Sequence, residues 1–352
     1  MKSGFLPSLK AIVLSPWYAF EVFTGAKGFG KNPIIGSARL NRKGLHIWRV
    51  KTTARIVEWR RKRLSHIISD ADRRMFEEKG YVEKRGLLPE EVFRQLVKEV
   101  EALEAPAREM TEGNAVTRRI ALTPETVAKL PAVKAFLDNK EWQNIVRYVG
   151  GFNVEPVLSV QTIFANASPV ATKQDPQTDL HMDTFHSTAK AWFFLYDVPE
   201  DEGPFTYVPG SHKLTKRRLA WQKRKSILAS TGGAAGGAFR VRRDELKRLH
   251  MPEPTKFAVP ANTLVVGDTF GFHARGRSER PSIRVELYAS QRPNPFLPFV
   301  NLDTAHLPFV KGRKEVISWF FEDLMVRFGL SRPIWREIGR VYPRQRAAAK
   351  QG

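Results

Sequence analysis

His181, Met182 and Asp183 put an imidazole and a carboxylate two residues apart. On an extended chain, side chains repeat every second residue, so both groups point to one side. Two donors on one side of an octahedral ion need a third, and the downstream run 265–273 (VVGDTFGFH) ends on His273. Two imidazoles and one carboxylate form the set that leaves three positions open on a non-haem Fe(II). The gap between Asp183 and His273 is long, and a lone His-x-Asp is otherwise a hydrogen-bonded surface pair. Arg284, eleven residues after His273, adds weight. The strand it sits on alternates, with Ile283, Val285 and Leu287 on one side and Arg284, Glu286 and Tyr288 on the other. An arginine facing a barrel interior needs a carboxylate, which its planar fork pairs through two hydrogen bonds. The far carboxylate of a 2-oxo acid chelating the metal would fill that role.

His181-x-Asp183, the run 203–212 (GPFTYVPGSH), His273 and Arg284 together resemble the phytanoyl-CoA dioxygenase family of iron/2-oxoglutarate oxygenases, over residues 68–295. The resemblance implies that His181, Asp183 and His273 hold Fe(II) and that Arg284 takes the C5 carboxylate of 2-oxoglutarate. It implies that Trp192 and His212 lie beside the cosubstrate, with O2 as oxidant and ascorbate as an accessory reductant. Halogenating relatives carry Gly or Ala where this chain has Asp183, so hydroxylation is the implied chemistry. A narrower resemblance lies in 181–192 (HMDTFHSTAKAW), 32–37 (NPIIGS) and 40–46 (LNRKGLH), and it is to bacterial Kdo hydroxylases. Those enzymes hydroxylate the outer Kdo sugar of a lipid A precursor at the inner face of the inner membrane. The implied substrate is an anionic glycolipid, and the implied location is cytoplasmic and peripheral on that membrane.

Other residues near the ligands have two readings each. Lys190, Arg275 and Arg277 hold an anionic substrate or are rim charges, and His186 touches substrate or makes a supporting hydrogen bond. Gln161 faces the cosubstrate or is a plain strand residue. No general base is required by this chemistry.

The elements that position these groups fall into two halves. Helical periodicity marks 49–68, 70–79 (stopped by Gly80), a segment opened by Pro89, 123–137, and 141–149 ending at Gly150 and Gly151. From Pro156 onward, short strands follow at 157–165, 189–196, 205–208, 256–259, 263–266 and 283–290, punctuated by Pro and Gly. The fold expected is α+β: a double-stranded β-helix, a jelly-roll or cupin-like barrel, buttressed by helices. The domain organisation expected is a basic, aromatic-rich extension over 1–67, an oxygenase domain over 68–298 and a basic helical extension over 299–352. Within the domain, 213–250 reads as a basic insertion whose Gly-rich stretch 231–239 is a lid or a linker. The helix expected at 316–330 is rich in aromatics and reads as a packing or oligomer face.

The net charge is +22, and its placement is uneven. Residues 1–65 carry 14 Lys/Arg against Glu21 and Glu58, and 311–352 carry 10 against 4 acidic residues. The insertion 213–250 has 12 basic residues against Asp244 and Glu245. The remaining core is slightly acidic, so positive charge on the flanks would steer the enzyme to an anionic surface. A basic amphipathic helix at 49–68, with Arg49, Lys51, Arg55, Arg60, Arg61, Lys62 and Arg63, reads either as an anionic-membrane contact or as a core buttress with a solvated face. Two alternatives remain open: a hydroxylase of a soluble small molecule whose basic flanks bind a partner or nucleic acid, and a non-catalytic metal-binding module. No nucleic-acid motif is present. There is no cysteine, which removes disulfides and thiolate metal sites. The longest apolar run, 11–20, is broken by Pro16 and falls short of a membrane span, so an intracellular protein is expected.

Overall fold

The computed structural model describes residues 15–166, 175–232, 236–301 and 307–346. Eleven strands are found among them: β1 (Tyr81–Arg85), β2 (Ala105–Glu112), β3 (Ala115–Ala121), β4 (Val157–Ala165), β5 (Ala189–Phe194), β6 (Phe205–Tyr207), β7 (Thr255–Lys256), β8 (Thr263–Asp268), β9 (His273–Arg275), β10 (Ser282–Gln291) and β11 (Arg336–Val341). Eight form an antiparallel sheet in the order β1-β8-β5-β10-β4-β3-β2-β11, and β7-β6-β9 form a second sheet.

Strand alternation decides what each face of the large sheet does. Val285, Leu287 and Ala289 of β10 join Ala191, Phe193, Leu264 and Val266 against the helices, in a core that includes Phe136, Trp142, Val146 and Val149. The alternate residues Trp192, Val265 and Tyr288 face the small sheet and pack on Phe205, Tyr207 and Phe257. Two facing sheets, with helices covering one outer side, make the expected double-stranded β-helix.

The helices differ from the expectation in instructive ways. The basic helix runs Leu45–Leu64, and a 3-10 turn follows at Ser65–Ile67. Its Arg49 and Arg60 are buried rather than solvated. Arg49 donates to the carbonyls of Val22, Thr24 and Ala26 and lies 4.0 Å over the Phe185 ring. Arg60 donates to Pro295 O at 2.8 Å, and Arg61 pairs with buried Asp268 at 2.9 Å. These cations are core fasteners, and the exposed basic face shrinks to Lys51, Arg55, Lys62 and Arg63. The helix expected at 123–137 is two helices, Pro124–Val127 and Pro131–Asp138, because Pro131 keeps Leu130 out of helical conformation.

The basic insertion is also built in. It forms the helices Lys216–Ser230 and Arg243–Leu249, and its Trp221, Phe239, Val241 and Leu246 share a core with Phe29, Val50, Met182 and Phe185. Residues 233–235 of the Gly-rich stretch lie outside the described residues, as do 11–14 of the apolar run. Gly237 and Phe239, however, are seated: Gly237 has φ +71, and a Cβ there would meet Lys27 O at 2.0 Å. The C-terminal end of that stretch is therefore packed against the N-terminal extension. At the C-terminus, a helix over Lys314–Arg327 is followed by β11, which pairs with β2, so this extension adds an edge strand to the large sheet. No helix among the described residues is long and apolar enough to cross a membrane.

Candidate metal centre

The backbone brings the two imidazoles together. His181 N donates to His273 O and His273 N to His181 O, each at 2.9 Å, and Asp183 N donates to Thr269 O at 3.0 Å. This crossing joins the segment before β5 to β9 and the turn behind β8. The Nε2 atoms of His181 and His273 both lie 3.6 Å from Asp183 Oδ1, and the ligand atoms of all three residues fall within 4.8 Å of one another. His181 Nδ1 faces Asp179 O at 2.7 Å and His273 Nδ1 faces Gly271 O at 3.0 Å. Each carbonyl can only accept, so each Nδ1 carries the proton and each Nε2 turns a lone pair inward. His273 Nε2 is buried without a hydrogen-bond partner. An orphaned, inward-facing donor beside a carboxylate fits a divalent metal. Burial pushes the His273 pKa down, which keeps the imidazole in the neutral form that ligates. Burial opposes the charged form of Asp183, yet the Lys190 ammonium outweighs it and holds its carboxyl well below the usual range.

A cavity of about 150 Å³ opens on His181 and His273 and is also lined by Gln161, Lys190, Trp192, Arg275, Arg284 and Tyr288. Register explains the gathering: Gln161 lies across from Glu286, and Tyr288 across from Trp192. Arg284 Nε donates to Glu286 Oε2 at 3.0 Å, and its Nη1 reaches Gly203 O. Gln161 Nε2 donates to Glu286 Oε1 at 2.6 Å, so the fully buried Glu286 is held from both sides.

The three cations expected near substrate separate. Lys190 Nζ lies 2.7 Å from Asp183 Oδ2, a partner to the ligand set itself. Arg275 lines the cavity but is tied to Asp175 at 2.8 Å and Thr117 at 3.0 Å. Arg277 is exposed and belongs to a neighbouring surface recess instead. His212 is also displaced from the cosubstrate position expected for it. It packs on Phe76 at 5.3 Å between ring centroids, and it lines a separate cleft with His186. The physical reason is the turn after Tyr207, which carries His212 past the small sheet toward Gly80. His186 is buried, with Nδ1 on Ser187 O at 3.0 Å.

Two residues at the site escaped the sequence reading. Lys27, from the N-terminal extension, donates through Nζ to the Asp183 carbonyl, and burial beside Arg292 lowers its pKa to about 8. Arg119 on β3 lines the cavity, donating to Gln161 Oε1 at 3.0 Å and to Glu315 at 3.1 Å, with Trp335 4.8 Å over its guanidinium. The alternation of Thr117 and Arg119 along β3 was the available signal, because it sets Arg119 on the face that Gln161 shares.

Comparison with known proteins agrees with this centre. The family profile described as "Phytanoyl-CoA dioxygenase (PhyH)" matches residues 76–261, just over half of the chain. His181 and Asp183 fall inside the match; His273 and Arg284 lie beyond its end. No curated protein matches the sequence. Among solved structures, the non-heme alpha ketoglutarate dependent epimerase SnoN from nogalamycin biosynthesis is 19% identical with a TM-score of 0.43, covering 64% of this chain and 82% of that one. The carbocyclase SnoK of the same biosynthesis is 22% identical with a TM-score of 0.39, covering 64% and 84%. HygX from Streptomyces hygroscopicus, with nickel and 2-oxoglutarate bound, is 18% identical with a TM-score of 0.39, covering 64% and 87%.

Proposed function

The chain belongs to the phytanoyl-CoA dioxygenase family and is an iron- and 2-oxoglutarate-dependent dioxygenase, and from that premise we propose that it hydroxylates an anionic substrate, specifically the outer Kdo sugar of Kdo2-lipid A. The observation that carries the oxygenase reading is that His181, His273 and Arg284 line one cavity, with the Asp183 carboxylate 3.6 Å from both imidazoles behind it. When bound, iron and 2-oxoglutarate supply the oxidising power that inserts one atom of O2 into substrate.

The chain's own part is binding, orientation and exclusion of water. His181, Asp183 and His273 would hold the metal, and their fixed Nδ1 hydrogen bonds set the imidazole planes beforehand. Arg284, steadied by Glu286, presents its guanidinium for the far carboxylate of the cosubstrate. Trp192, Phe205 and Tyr288 wall the cavity with aromatic surface. Lys190 and Arg119 also line the cavity, each paired within the protein, to Asp183 and to Glu315. The support for Kdo in particular is the sequence likeness around 181–192, together with the net charge of +22 on the chain.

Two measurements separate the levels of this reading. Purified protein given Fe(II), 2-oxoglutarate and O2 should release succinate, and a chelator should stop it. Mass spectrometry of lipid A–Kdo species from cells with and without the protein should reveal a gain of one oxygen. Absence of succinate under any substrate would sink the oxygenase reading; succinate release with unaltered lipid would sink only the substrate.

A further inference from the structure

The helix Lys314–Arg327 is mounted inside out. A surface helix normally turns its apolar stripe to the core. Here the inward face carries Glu315, whose carboxylate meets Arg119 at 3.1 Å, and Trp319, which packs under Arg108. Glu322 accepts the backbone N–H groups of Ile334 and Trp335. The outward face carries Phe320, Phe321 and Met325, and the chain continues through Phe328, Leu330 and Ile334. Phe320 is 63% exposed, Phe321 57%, Phe328 68% and Leu330 68%. Leu330 N and Ser331 N both donate to Met325 O, which folds the segment after the helix back toward its last turn, and the Phe320 and Phe321 rings meet at 5.8 Å. Scattered apolar residues on a surface need no explanation, but a gathered patch of this kind marks an interaction face.

The charges around the patch indicate what covers it. Lys311, Arg327, Arg332 and Arg336 are exposed at its rim. Three carboxylates of the same segment are engaged, Glu315 by Arg119, Asp323 by Arg108 at 2.5 Å and Glu322 by backbone N–H groups, which leaves exposed Glu337 against the four cations. An apolar, aromatic centre with a net cationic rim is complementary to an anionic lipid bilayer, where rings sit at the headgroup boundary and Lys/Arg meet phosphates. A second copy of the chain would bring two positive rims face to face.

We infer that the face formed by Phe320, Phe321, Met325, Phe328, Leu330 and Ile334 docks the enzyme on an anionic membrane surface. It takes over the role that the sequence suggests for residues 49–68, whose Arg49, Arg60 and Arg61 are turned inward. Glu315 ties the docking helix to Arg119, so the docked enzyme keeps its cavity in mechanical contact with the lipid-facing element. The inference concerns adhesion and stands apart from which substrate is oxidised.

The test is co-sedimentation of the full chain with vesicles of phosphatidylcholine alone and of phosphatidylcholine containing phosphatidylglycerol. The wild type should bind the anionic vesicles at low salt and be released by high salt. Phe320→Ser with Phe328→Ser should weaken binding by roughly ten- to a hundredfold, since two rings lose apolar burial. Arg327→Gln, Arg332→Gln and Arg336→Gln together should weaken it by roughly fivefold per charge. All replaced side chains are exposed, so far-UV circular dichroism and the melting temperature should stay unchanged. Lys62→Gln with Arg63→Gln should bind like wild type. The inference is overturned if wild type ignores anionic vesicles or if only the Lys62/Arg63 variant is released. It is equally overturned if light scattering finds a dimer that Phe320→Ser with Phe328→Ser dissociates.

Discussion

Lys190 Nζ lies 2.7 Å from Asp183 Oδ2, so the carboxylate of the metal-ligand set already holds a cation in the protein alone. An incoming divalent cation, which would sit at Oδ1 between the two imidazoles, is repelled by that ammonium and shares the carboxylate's charge with it.

Lys190→Met should therefore tighten metal binding by about tenfold, a difference of about 1.4 kcal/mol. The metal-free protein should lose about 1–3 kcal/mol, because Asp183 is left facing two imidazoles with no ammonium. Calorimetric titration with Co(II) or Ni(II) and denaturant melts of the apo protein read the two effects separately. Weaker metal binding would mean that Lys190 positions the carboxylate and does not compete for it.

Arg284→Ala removes the cation that the far carboxylate of 2-oxoglutarate would meet. An unpaired charge in a partly buried site costs about 3–5 kcal/mol. The apparent constant for 2-oxoglutarate should rise by roughly two orders of magnitude or more. Arg280 is no substitute, because it is engaged by Asp201 at 3.2 Å and Glu202 at 2.9 Å. Arg284→Lys controls for the loss of support to Glu286. An unchanged constant in Arg284→Ala would move the carboxylate site elsewhere, with Arg119 the first candidate.

Arg49→Met probes the buried fastener under the N-terminal extension. The guanidinium satisfies three carbonyls between Val22 and Ala26, and that loop leads directly to Lys27 on the Asp183 carbonyl. Stability should fall by about 3 kcal/mol as those carbonyls lose a charged donor. Vesicle binding of the folded fraction should not change. A variant as stable as wild type that fails to bind vesicles would return Arg49 to the membrane face.

Three histidines should make the fold sensitive to acid. Burial lowers the pKa of His46 to about 4, of His186 to about 3 and of His212 to about 4, from an ordinary 6.5. A folded pKa below the unfolded one means the unfolded chain takes up the proton first. Stability is then complete above 6.5 and is lost as pH falls from 6.5 toward 4, at about 1.4 kcal/mol per pH unit for each histidine. Denaturant melts from about pH 7 to about pH 5 should give that slope. His46→Gln, at a ring that lies 2.8 Å from Gln222 Oε1, should flatten it by about a third. An unaltered slope would assign the acid sensitivity to other groups.

The centre was legible because its signals are local or periodic. His181 and Asp183 sit at a two-residue spacing, Arg284 falls on the polar side of an alternating strand, and the structure groups His181 and Asp183 with His273 beside a cavity that Arg284 also lines. What was not legible depends on partners that leave no mark in sequence. Arg49 and Arg60 look like surface cations because the groups that bury them are backbone carbonyls, which every residue has. Lys27 reaches a carbonyl 156 positions away from a Gly-rich loop with no periodicity to point it. His212 lies in a motif that suggested the cosubstrate, but the turn geometry behind Tyr207 sends it to Phe76. The hairpin of β2 and β3 went unread although its strands adjoin, whereas β11 was missed because its partner β2 lies far off in the chain, 105–112 against 336–341.

That last pairing carries a consequence for handling the molecule. β11 covers what would be the free edge of β2, and Arg118 clamps the chain beyond it by donating to the carbonyls of Tyr342, Pro343 and Gln345. A chain cut before Arg336 would leave the backbone donors and acceptors of β2 unpaired along an open ladder, a template for aggregation. Solubility of this protein therefore depends on its tail, and a fusion or a proteolytic nick there would be felt as clumping long before any loss of chemistry.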